Sequence, residues 1–180
     1  VLLMRLLESI IRFVDSVNEK LGIFASWITT LMVLVVCYDV VTRYFLKRSS
    51  VAVQELEWHL FAVVFLIGAA YTLKHDRHVR VDVLYMKFKP KIKAWVNLLG
   101  SLIFLIPVCL IGIWSSMNFV VSSFLIGEGS PDPGGLPARC VLKAVIPLSF
   151  FLLLLQGLSL SISSIMEILG KEAGVAGANE

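Results

Sequence analysis

Charge is scarce in this chain. Only 16% of its 180 residues are Asp, Glu, Lys or Arg, against 58% hydrophobic, where a soluble domain carries about 25% charged residues. The formal charge of +3 is small and scattered, and a nucleic-acid reader would need a basic stripe with exposed aromatics, so that class is excluded. Cysteine is scarce too. Cys37 and Cys109 fall inside apolar runs and Cys140 stands alone, so no pair has the spacing of a metal site or a disulfide framework. All three read as small apolar residues. Of the three histidines, His59 and His75 are about 24 Å apart along one helix and cannot sandwich one haem iron, while His78 shares a face with His75 and has no histidine partner elsewhere. His75, Asp76, His78 and Asp82 lack an established metal-ligand spacing. Ser122, Ser123, Ser161, Ser163 and Ser164 have no His and acid in a triad relation. No enzymatic activity and no cofactor in this chain are therefore expected. There is also no internal repeat and no charged midplane residue, which weighs against a self-sufficient transporter.

What is abundant is long apolar stretches, with a mean hydropathy of +0.87. Residues 1–20 come first, with Leu3, Leu6, Leu7, Ile10, Ile11, Val14 and Val17 at helical spacing and Arg5, Glu8, Arg12, Asp15 and Glu19 on another face. They predict an amphipathic helix lying along the membrane surface, with packing against a partner as the alternative or in addition. No small-residue cleavage site follows, so no cleaved signal peptide is expected. The remainder predicts an all-α integral membrane domain over 21–170 with four spans, at about 21–41, 55–74, 91–126 and 138–168. Asp39 and Arg43 close the first span as an i,i+4 pair at the water interface. Glu55 and Glu57 sit near the start of the second, where the helix dipole favours acids. Gly68, Ala69 and Ala70 form a small-residue patch that would let another helix approach.

Pro107 lies inside the third apolar run and should kink it. The segment 127–137 is too dense in Gly and Pro to be helical and forms a loop. Gln156, in mid-membrane, should face protein because its amide needs a partner. The Gly- and Ala-rich tail, 171–180, is expected to be flexible. Eleven Lys and Arg fall on the side of the termini, against Arg43, Lys47, Arg48, Arg139 and Lys143 on the other. The excess places both termini in the cytoplasm.

Several short stretches, in order, resemble one family. They are Gln54-Glu55-Leu56, Leu60-Phe61, Gly68-Ala69-Ala70, Leu73-Lys74 and His78-Val79-Arg80-Val81-Asp82-Val83. Asp39, Arg43-Tyr44, Gly100, and the loop from Glu128 through Ser130, Asp132-Pro133-Gly134-Gly135-Leu136-Pro137 and Arg139 to Lys143 and Pro147 add to them. Together they are similar to the small membrane subunit, of DctQ type, of tripartite ATP-independent periplasmic (TRAP) transporters. Cys140 stands where that pattern has an aromatic, and Glu57 adds an acid beside Glu55.

The resemblance implies a bacterial or archaeal inner-membrane complex taking up an organic acid. In it, a large membrane subunit holds the substrate and sodium sites and moves as an elevator, and an extracytoplasmic binding protein delivers the substrate. The small subunit braces the large one and binds neither substrate nor metal. Arg43, Glu55, Glu57, His78, Arg80 and Asp82 become candidates for subunit contacts or helix-end polar contacts. Glu128, Ser130, Asp132 and Arg139 become candidates for a loop touching the binding protein. The alternative of the same size and span count is the membrane anchor of a respiratory enzyme.

Overall fold

The computed structural model describes residues 2–75 and 88–170, which form helices and connections without a strand. His78, Arg80 and Asp82 lie outside the described residues, as does the 171–180 tail. Four helical stretches, Leu7–Phe45, Val51–Lys74, Lys91–Leu125 and Arg139–Ile168, are long and apolar enough to cross a membrane.

The first helix, α1, runs Leu2–Phe45 without interruption. The segments expected separately at 1–20 and 21–41 are therefore one element, of about 66 Å if straight. The physical reason is local. Residues 2–45 contain no proline and a single glycine, Gly22, so nothing breaks the backbone ladder where the charges give out. One face also runs through the junction, since Ile11, Val14, Asn18, Gly22 and Ala25 are all buried at spacings of three and four. The helix ends where Lys47 takes φ 50° and Arg48 N–H reaches back to the Thr42 carbonyl at 3.2 Å.

Helix α2 (Val51–Lys74) returns beside α1. At the terminal end of the pair, Glu19 accepts hydrogen bonds from Lys74 Nζ at 2.5 Å and His75 Nε2 at 3.0 Å. Three residues further along α1, Gly22 lies against the Tyr71 ring so closely that a Cβ there would overlap it. The small-residue patch of α2 is Gly68, Ala69 and Ala70. There Ala70 is buried, but the space beside Gly68 is open.

The third apolar run comprises α3 (Pro90–Gly100), a π-helical turn (Ser101–Leu105) and α4 (Ile106–Leu125). Pro107 explains the turn: its ring would strike the carbonyl four residues back, at Ile103, and widening that turn relieves the clash. Helix α5 (Arg139–Ile168) packs against all the others. Its buried residues include four serines, Gln156 and Gly157, small or hydrogen-bonding groups of the kind that join helices where lipid offers no hydrophobic drive. Ser161 Oγ donates to Ser101 Oγ at 3.0 Å, at the π turn, and a Cβ at Gly157 would meet Leu105. Gln156 does face protein: it accepts from Asn18 Nδ2 at 2.6 Å and donates to Asp15 Oδ1 at 3.0 Å.

Candidate functional site: the Glu55 clasp

Helices α1 and α2, and α4 and α5, are joined at the end of the bundle opposite the described N-terminus. There the longer connection, 126–138, folds over α2. Its own composition shapes it, with Pro131, Pro133 and Pro137 limiting the backbone and Gly127 and Gly134 taking φ of 60° and 83°, values that glycine adopts without steric cost. Within the loop, Ser130 N–H donates to the Leu136 carbonyl at 3.1 Å and Gly135 N–H to the Asp132 carbonyl at 3.0 Å. Ser130 Oγ accepts from Asp132 N–H at 3.1 Å.

The loop is fixed to α2 by one side chain. Glu55, one turn into α2, is only 4% exposed. Its Oε1 accepts from Ser130 Oγ at 2.5 Å and from an Arg139 terminal nitrogen at 2.9 Å, and its Oε2 accepts from Leu136 N–H at 2.6 Å. A carboxylate taken out of water needs such partners, and charge-assisted bonds are the strong ones. Gly135 is required beside it, because a Cβ there would come within 2.7 Å of Glu55 Oε2 and closer still to Ser130.

A second tie closes the base of the loop. Glu128 pairs with Lys143 Nζ, and the Glu128 carbonyl accepts from Arg139 N–H at 3.0 Å. The Lys143 ammonium holds the Glu128 carboxyl below its ordinary pKa. Both cations also lie over aromatic faces, Arg139 at 5.7 Å from the Trp58 centroid and Lys143 at 3.8 Å from that of Phe119, a favourable placement for a cation.

The site residues expected from sequence therefore divide. Glu55, Ser130 and Arg139 come together, with Glu128 adjoining them. Asp132 is at the exposed tip and contributes only backbone atoms to the loop. Arg43 stays on α1, about half exposed and paired with buried Asp39. Glu57 is half-buried, and its Oε1 has no partner among the described residues. His59 directs Nδ1 at the Glu55 carbonyl, 2.5 Å away. Among the described residues no group of three His, Cys, Asp or Glu is placed to hold a metal. Sequence reasoning did not foresee the Glu19 tie to Lys74 and His75, nor Asn18 as the partner of Gln156; the one available signal was that a mid-span glutamine needs a partner.

The family described as "Tripartite ATP-independent periplasmic transporters, DctQ component" matches residues 32–166, a stretch that contains the whole clasp. The chain belongs to this family. No curated protein matches it. As a DctQ component it is a small, multi-pass membrane subunit of a TRAP transporter. The clasp lies wholly inside the matched stretch, whereas Asp15, Asn18 and Glu19 precede it.

Proposed function

We propose that this DctQ component is a static brace. In this reading it stands beside a large membrane subunit that carries the substrate and sodium sites and moves as an elevator, in sodium-coupled uptake of an organic acid delivered by an extracytoplasmic binding protein. The observation that carries the reading is that four acids are paired with cations of the same chain. Glu19 pairs with Lys74 and His75, Asp39 with Arg43, Glu55 with Arg139, and Glu128 with Lys143. Such pairs fix helices and loop; a substrate site would keep ionisable groups converging on an open cavity. Meanwhile Trp27, Leu34 and Tyr38 on α1 and Trp114 and Phe124 on α4 are exposed, apolar surface suited to lipid or to another membrane subunit.

In the same reading the membrane is the inner membrane of a bacterium or archaeon, and the excess of Lys and Arg keeps both termini in the cytoplasm. Arg43 and Glu57, with His78, Arg80 and Asp82, fasten the large subunit, and the exposed tip at Asp132 meets the binding protein. The chain itself needs no cofactor. The test is co-expression with the large subunit, purification, and uptake into vesicles under a sodium gradient with binding protein present. Arg43→Ala should lower the yield of the complex and leave substrate affinity unchanged in what assembles. A fully assembled Arg43→Ala complex that no longer binds substrate would overturn the brace.

A further inference from the structure

Beside the clasp, a groove of about 250 Å³ opens on the flank of the bundle between α2 and α5. Trp58, Ala62 and Leu66, one above another on α2, form one wall, and Leu142 and Ile146 on α5 form the other. Trp58 is 43% exposed at its mouth. The two helices start at the same end of the bundle, so both walls run inward from the loops. From Trp58 to Leu66 the groove descends about 12 Å, most of the roughly 15 Å hydrocarbon depth of one leaflet.

Its polarity is graded along that length. Arg139 and Lys143 stand at the loop end, and everything deeper is apolar. Both cations are held in place by carboxylates. Arg139 Nε is buried without an acceptor among the described residues, and the open donors are those of Lys143 Nζ, which has three N–H groups and makes one hydrogen bond, to Glu128. A side chain of another helix would enter such a groove from the side and would not use cations at one end. A molecule with a phosphate at interface depth and a hydrocarbon chain beneath matches both the gradient and the depth.

We propose that this groove holds one phospholipid, its phosphate on Lys143, beside Arg139, and one acyl chain against Ala62, Leu66 and Ile146. Glu55 and Glu128 balance the two cations, so retention does not depend on an anionic headgroup. The site stands independently of the bracing role, since it requires only that the chain lie in a bilayer.

Native mass spectrometry of the assembled transporter complex, released from vesicles of phosphatidylethanolamine, phosphatidylcholine or phosphatidylglycerol, tests the assignment. One phospholipid should stay with each copy of the chain, from all three vesicle types alike. Ala62→Trp fills the groove from α2 and Leu142→Trp from α5 without touching a charge. Whichever of these keeps its helical content by circular dichroism should retain lipid at least tenfold less, and Lys143→Gln severalfold less. Inorganic phosphate alone should not displace the lipid. Equal retention by a folded groove-filling variant would overturn the proposal. So would displacement by phosphate, or a complex free of lipid when the isolated chain binds it, since the groove would then belong to a partner protein.

Discussion

Glu55 shows what one buried carboxylate does. Three donors more than seventy residues away in sequence, two from the loop and one from the first residue of α5, end on its two oxygens, so truncation would leave Arg139, Ser130 and the Leu136 N–H without their acceptor. Glu55→Ala should therefore speed protease cleavage within 128–138 by roughly an order of magnitude or more, because local opening limits cleavage there. Asp132→Asn, changed at the exposed tip, should leave the rate within about twofold, as surface substitutions generally do. Glu128 adds a pH dependence of defined sign. Its carboxyl is held below the ordinary glutamate value of about 4.3, so its tie to Lys143 contributes fully above that value and is lost as pH falls through the lowered one. Protection of the loop amides against hydrogen exchange, taken relative to the intrinsic rate at each pH, should hold down through the ordinary glutamate value and fall on further acidification. Glu128→Gln should show no such step at its base, and an identical step in that variant would remove Glu128 as its cause.

Elements here are joined by close approach and isolated polar contacts. Gly22 lets α1 rest on the Tyr71 ring, and Gly22→Val should cost about 1–3 kcal/mol by overpacking. Tyr71→Ala in the same chain should recover part of it, and unfolding of the two single variants and the double variant in detergent measures the coupling. Additive losses would mean the two residues do not meet. The helices themselves were legible in sequence from their apolar lengths. The joint between the amphipathic segment and the first span was not, because a change from charged to apolar composition alters what a helix faces without altering its backbone. The π turn was only half legible. Pro107 announced a disruption, but its form depends on what α5 presents at that level, where Ser161 and Gly157 meet Ser101 and Leu105.

Among the described residues α5 packs against the other helices, and its polar residues tie it to α1, to α2 and to the π turn. Gln156 ties α1 through Asn18 and Asp15, upstream of the stretch that matches the family. Gln156→Leu keeps the volume and removes those bonds, at a cost of about 1–2 kcal/mol by the usual worth of interhelical hydrogen bonds in membranes. Hydrogen exchange should rise in residues 8–19 and stay unchanged in the clasp; a rise in the clasp instead would show that the two ends of the bundle are coupled.

The sequence by itself determined the class of molecule. A bilayer asks for about twenty apolar residues per crossing and for turns between them, and both are local properties written in consecutive residues. It also marked the residues with something to hide, Gln156 in mid-span and the acids at the start of α2. Which partner each one takes was decided only by the tertiary structure. Glu55 and Glu57 are near neighbours of identical chemistry, yet Glu55 is clasped by the loop while a buried oxygen of Glu57 has no partner among the described residues. Two residues along a helix turn a side chain by about 200°, and the direction it then faces has meaning only once α5 and its loop stand beside α2.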